Sequence, residues 1–109
     1  MKFALITFAV ATLLAAGTAN AALDNAAAEA MMRKDGCAAC HAIDKKLVGP
    51  AYVEVAAKYK GDKDAVAKLT KKVKEGGSGV WGQIPMPPNA ATPTADVTDL
   101  VTWILTLKK

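Results

Sequence analysis

Between residues 62 and 75 the apolar positions Val66, Leu69 and Val73 recur at spacings of three and four, and lysines fill the opposite side. That period predicts an amphipathic surface helix from Asp62 or Asp64 to Glu75, ended by Gly76-Gly77. A second stripe, Val97, Leu100, Val101, Ile104 and Leu107, predicts a C-terminal helix opening at Thr92-Pro93 or Thr94, with the proline in the first helical position. Residues 23–34 are alanine-rich and strongly helix-favouring, with Asp24 or Asn25 as N-cap and Gly36 as the stop. Residues 50–60 form a further short helix, with Pro50 in its first turn and Gly61 at its end. No segment alternates with the two-residue period of a strand. Residues 76–91 carry glycines and three prolines, and a loop of that length is expected to have a function of its own. The pattern sums to an all-α domain of about four helices and one long irregular loop.

Composition changes this picture at the N-terminus. Apolar residues make up 52% of the 109, too many for a disordered chain, but part of them sit in residues 1–21. There a Met1-Lys2 start, an apolar run over 3–16 and Ala19-Asn20-Ala21 read as a secretory signal peptide with its cleavage site. The run is short of the ~20 apolar residues that a membrane span needs, which disfavours an uncleaved anchor. Residues 22–109 are then a single small domain, exported to the periplasm. Domains of this size usually recruit a disulfide, a metal or a cofactor for stability.

The only two cysteines and the only histidine fall together in Cys37-Ala38-Ala39-Cys40-His41. This is the C-x-x-C-H pattern of covalent haem attachment. Two thiols three positions apart on a turn match the spacing of two haem vinyl groups, and the following imidazole then lies beneath the iron. A redox dithiol would want a βαβ context that is absent, zinc would want a fourth ligand, and a disulfide across two residues would constrain little. A flat apolar cofactor also supplies the missing centre of the core, at about 2.5 kcal/mol per 100 Å² removed from water.

The second axial position decides what such an iron can do. With one histidine in the chain, a bis-histidine site is impossible. Met31 and Met32 lie on the helix leading directly into Cys37, which leaves Met86 in Pro85-Met86-Pro87-Pro88. Prolines on both sides restrict the loop and lower the entropy lost in presenting a thioether. The competing reading is a methionine packed on the core. If Met86 does not bind, the open face suits a gas sensor or small peroxidase, although no distal histidine or arginine is at hand for oxygen chemistry.

Three stretches, 36–44, Val48-Gly49-Pro50-Ala51-Tyr52 and 79–89, closely resemble the small bacterial class I cytochromes c of the cytochrome c-551 type. The resemblance runs from about Ala27 to the C-terminus. It implies a class I cytochrome c fold wrapped around one covalent haem c, with thioethers from Cys37 and Cys40 and with His41 and Met86 as axial ligands. It further implies that the Pro50 carbonyl accepts from His41 Nδ1, that Asn89 steadies the methionine sulfur, that Trp81 donates to a haem propionate, and that Trp103 packs the last helix on the first. Two positions depart from the pattern. Met32 stands five residues before Cys37, where an aromatic is usual, and Lys72 stands where an arginine can serve a propionate. A point charge there replaces a bidentate fork.

Charge adds a view of partners. The net charge of +4 is too small for a nucleic-acid binder, yet seven lysines and two aspartates fall between Lys58 and Lys74. That density is either a solvated helix face or a field steering acidic redox partners. By the resemblance, electrons pass at an apolar haem edge near Val48, Ala51 and Ile84. The expected protein is a monomeric, non-enzymatic, periplasmic electron carrier. The resemblance implies a quinol-oxidising complex or another cytochrome as its donor, and a terminal oxidase or nitrite reductase as its acceptor.

Overall fold

The computed structural model describes residues 23–109; the expected signal segment lies outside the described residues. Four helices follow in order: α1 (Asn25–Lys34), α2 (Tyr52–Lys58), α3 (Ala65–Glu75) and α4 (Thr94–Ile104). A single 3₁₀ turn, Cys37–Ala39, follows α1. Among the described residues there are no strands, only isolated bridges joining His41 to Lys46 and Gly77 to Met86. No helix among them is long and apolar enough to cross a membrane.

Helix α1 begins where the Asp24 carboxylate accepts the Ala27 N–H at 2.7 Å. Arg33 and Lys34 occupy its last turn, where cations favour the helix dipole. Gly36, at φ +79°, then turns the chain into the 3₁₀ segment. Helix α4 packs against α1, α2 and α3 and supplies half the core: Val97, Leu100, Val101, Trp103 and Ile104 are buried against Ala28 and Met32 of α1, Tyr52 and Val55 of α2, and Leu69 of α3. Trp103 meets Tyr52 edge-on, with centroids 6.4 Å apart, and its indole N–H donates to Asn25 Oδ1 at 3.0 Å. It therefore ties the last helix to the first. Met32, like Ala28, is buried on α1, and its flexible thioether fills the core there.

Two helix starts differ from the periodicity. Pro50 and Ala51 are not helical, and α2 opens at Tyr52. The Pro50 carbonyl is engaged by His41, while the N–H groups of Tyr52 and Val53 donate to Ala42 and Ile43, so tertiary bonds claim the groups a longer helix would use. Residues 62–64 form a turn, not a first helical turn, because Asp62 accepts both the Asp64 N–H at 2.9 Å and Lys68 Nζ at 2.8 Å. Helix α4 opens at Thr94, the second of the two expected starts, with Pro93 as its N-cap at ψ 138°. At the other end, α4 stops at Ile104, and Leu107 packs on the core from beyond it.

Candidate haem-binding site

The 3₁₀ turn brings the candidate chemistry together. Cys40 N–H and His41 N–H both donate to the Cys37 carbonyl, at 3.1 and 2.9 Å, so the two thiols and the imidazole come from one tight coil of backbone. All three line a cavity of about 480 Å³, within the ordinary range for a cofactor site.

His41 is fixed from several sides. Its Nδ1 donates to the Pro50 carbonyl at 2.8 Å; a carbonyl can only accept, so the proton sits on Nδ1 and Nε2 keeps its lone pair for a metal. The Tyr52 ring stacks on the imidazole with centroids 5.1 Å apart and planes 19° from parallel. Gly49 also lies against the ring, where a Cβ would fall 2.5 Å from His41 Cε1 and 2.9 Å from Nδ1. Burial pushes the Cys37 thiol up, partly offset by a hydrogen bond with Tyr52, and burial together with the Cys37 sulfur holds the Tyr52 hydroxyl above the ordinary tyrosine range. Both groups are thus neutral at pH 7.

The 76–91 loop supplies another wall of the cavity through residues 77–87. Met86 exchanges two backbone hydrogen bonds with Gly77, each 2.9 Å, so its position is set by the end of α3 and not by its own neighbours. Gly76, at φ +71°, has room only for hydrogen: a Cβ there would run into the Met86 carbonyl and come within 2.8 Å of the Pro88 nitrogen. Met86 lines the cavity, whereas Met32 is buried in the helical core and Met31 packs beside it. The remaining candidates divide. Lys72 and Trp81 line the cavity, and Trp81 is 41% exposed with Lys58 Nζ 5.4 Å from its ring centroid. Asn89 turns its amide NH₂ to the Asp35 carbonyl at 3.3 Å and accepts from Thr92 Oγ1 at 2.9 Å.

The periodicity marked Gly76 and Gly77 only as a helix stop and gave no role to Gly49, because the groups that Gly49 and Gly76 approach lie eight or more positions away along the chain. The residues present fit a c-type haem. Two thiols, an imidazole nitrogen and a thioether line one cavity, whose remaining lining is mainly apolar, with aliphatic side chains such as Leu69, Val73 and Leu100.

Comparison with known proteins agrees. Residues 25–108 match the Cytochrome c family model, and the chain belongs to that family. It is 51% identical over 102 residues to cytochrome c-552 of Nitrosomonas europaea, covering 94% of this chain and 93% of that one. It is 56% identical over 77 residues to cytochrome c-551 of Allochromatium vinosum, covering 71% and 82%. Among solved structures, the crystal structure of the wild-type Nitrosomonas europaea cytochrome c552 superposes with a TM-score of 0.71 at 51% identity, covering 73% of this chain and 99% of that one. The class 1 cytochrome MtoD of Sideroxydans lithotrophicus gives 0.64 at 36% identity, covering 78% and 97%. The fold is that of the class I cytochromes c, and the protein is a monohaem electron carrier holding one covalent haem c through Cys37 and Cys40.

Proposed function

We propose that this carrier works in the periplasm, with His41 and Met86 as its axial ligands, passing electrons from a quinol-oxidising complex or a cytochrome to a terminal oxidase or nitrite reductase. When bound, haem c supplies a one-electron iron couple. The polypeptide presents Nε2 of a tautomer-locked imidazole from one wall and a thioether from the other. A thioether favours the ferrous state and raises the potential, and a filled coordination sphere leaves a carrier without catalytic residues. Pro50 orients His41; Trp81 and Lys72, at the cavity rim, serve the propionates; Asn89 holds the loop that bears Met86. The single observation that carries this reading is the pair of backbone bonds holding Met86 in the lining of the cavity that His41 also lines.

The partner surface follows from exposure and charge. Leu47, Val48, Val80, Trp81 and Ile84 are exposed large apolar residues, Ile84 to 69%, and four of them line the cavity. Of the lysines between 58 and 74, Lys72 lines the cavity and Lys58 Nζ lies 5.4 Å from the Trp81 ring centroid, which puts positive charge at that rim. Such a field raises encounter rates with acidic proteins more than final affinity, as suits short-lived complexes. The visible spectrum of the exported protein tests the ligand set: a low-spin haem with an iron–sulfur charge-transfer band and no carbon monoxide response is expected. Ready carbon monoxide binding would overturn the Met86 assignment and favour a sensor. Cell fractionation tests the compartment, and a fall in reduction rate of an acidic partner with rising salt tests the docking field.

A further inference from the structure

The stretch after Met86 is fastened by side chains that the haem chemistry does not use. Thr92 is the buried polar residue of the described chain, 7% exposed, and its hydroxyl donates to Asn89 Oδ1 at 2.9 Å. That bond fixes the carboxamide so that its NH₂ faces the Asp35 carbonyl at 3.3 Å. The Asn89 N–H donates to the Val73 carbonyl at 2.9 Å. Lys74, in the last turn of α3, donates to the carbonyls of Ala90, at 2.9 Å, and of Thr92. Residues 89–92 are thereby tied to the end of α3 and, through Asn89, to Asp35, two residues before Cys37.

We propose that Thr92 and Lys74 are positioning residues for the Met86 sulfur. Thr92 locks the Asn89 carboxamide onto Asp35, Lys74 anchors the backbone beyond it, and together they latch the methionine wall to the segment that carries the haem cysteines. Pro87 and Pro88 lie between Met86 and Asn89, and their fixed φ passes the restraint back to the thioether with little slack. The latch rests on the assignment of Met86 as a ligand. Without that restraint the loop opens more often, and an external ligand competes with the sulfur more easily.

Imidazole titration of the ferric holoprotein measures this directly, because imidazole takes the iron position only when the thioether leaves. Thr92→Val keeps shape and removes the hydroxyl; loss of one such hydrogen bond should raise apparent imidazole affinity about fivefold. Thr92→Ser should restore the original affinity, and Lys74→Gln, at a less buried position, should raise it in the same direction. An unchanged imidazole affinity in Thr92→Val or Lys74→Gln, even with a lower unfolding midpoint, would reduce these residues to general stabilisers and overturn the proposal. Met86→Ala separates the two assignments: if the unaltered protein already takes imidazole as tightly as that variant, Met86 is no ligand and the latch falls with it. If the unaltered protein binds far more weakly than Met86→Ala while Thr92→Val matches it, only the latch fails.

Discussion

The two walls of the cavity are built in opposite ways. The histidine wall is local: residues 36–52 supply the cysteines, the imidazole, the glycine packed on its ring, the carbonyl that fixes its tautomer and the tyrosine stacked on it. The methionine wall has no regular structure of its own and borrows its order from α3 and from the end of α1. A wall made of short-range contacts and covalent attachment survives local opening, whereas one held by distant hydrogen bonds is the first to give way. Under the proposed ligand set, the tether and the tuning ligand are thus expected to differ in local stability.

Breaking the first wall should cost most. Replacing both Cys37 and Cys40 by alanine removes the attachment that gives so small a domain its centre. The exported chain should lose its cooperative thermal transition by circular dichroism. Met86→Ala attacks only the second wall: the fold should persist while the reduction potential falls by on the order of 0.1 V, a fraction of the ~0.8 V that axial ligands span. Voltammetry reads this, and an unchanged potential would contradict the ligand assignment.

Paired glycine substitutions sharpen the contrast. Gly49→Ala drives a methyl into the His41 ring, and overpacking of this kind costs about 1–3 kcal/mol. Gly76→Ala combines a positive φ with collision against the Met86 carbonyl, at a similar cost of about 1–3 kcal/mol. Denaturant unfolding should show comparable losses for the two, yet only Gly76→Ala should weaken the iron–sulfur band below the unfolding transition. Equal behaviour of that band in both variants would erase the distinction between the walls. The smallest effect is expected from Lys58→Ala, which removes the cation beside exposed Trp81 and should cost about 0.5–1 kcal/mol with no change in potential.

Much of the helical frame was legible beforehand. The stripes of Val66, Leu69 and Val73 and of Val97 to Ile104 reappear as α3 and α4, because burying a continuous apolar face demands that period. Helix starts were read less well, since Pro50 and Asp62 answer to partners outside their own helices. At the site, the pattern of cysteines and histidine could be read because its chemistry needs fixed short spacing. The role of Gly76 could not, because the atoms a side chain would strike belong to residues ten and more positions away.

By itself the sequence determined an all-helical domain, a covalent haem on Cys37 and Cys40, and, within residues 22–109, one methionine free of the helices. These follow from periodicity and from donor atoms a few residues apart. Tertiary structure alone decided which backbone groups hold Met86, why Gly49 must lack a side chain, and that Asn89 joins Thr92 to the end of α1. Hydrogen bonds and close approaches between distant segments depend on how helices pack, and packing leaves no repeat along the chain.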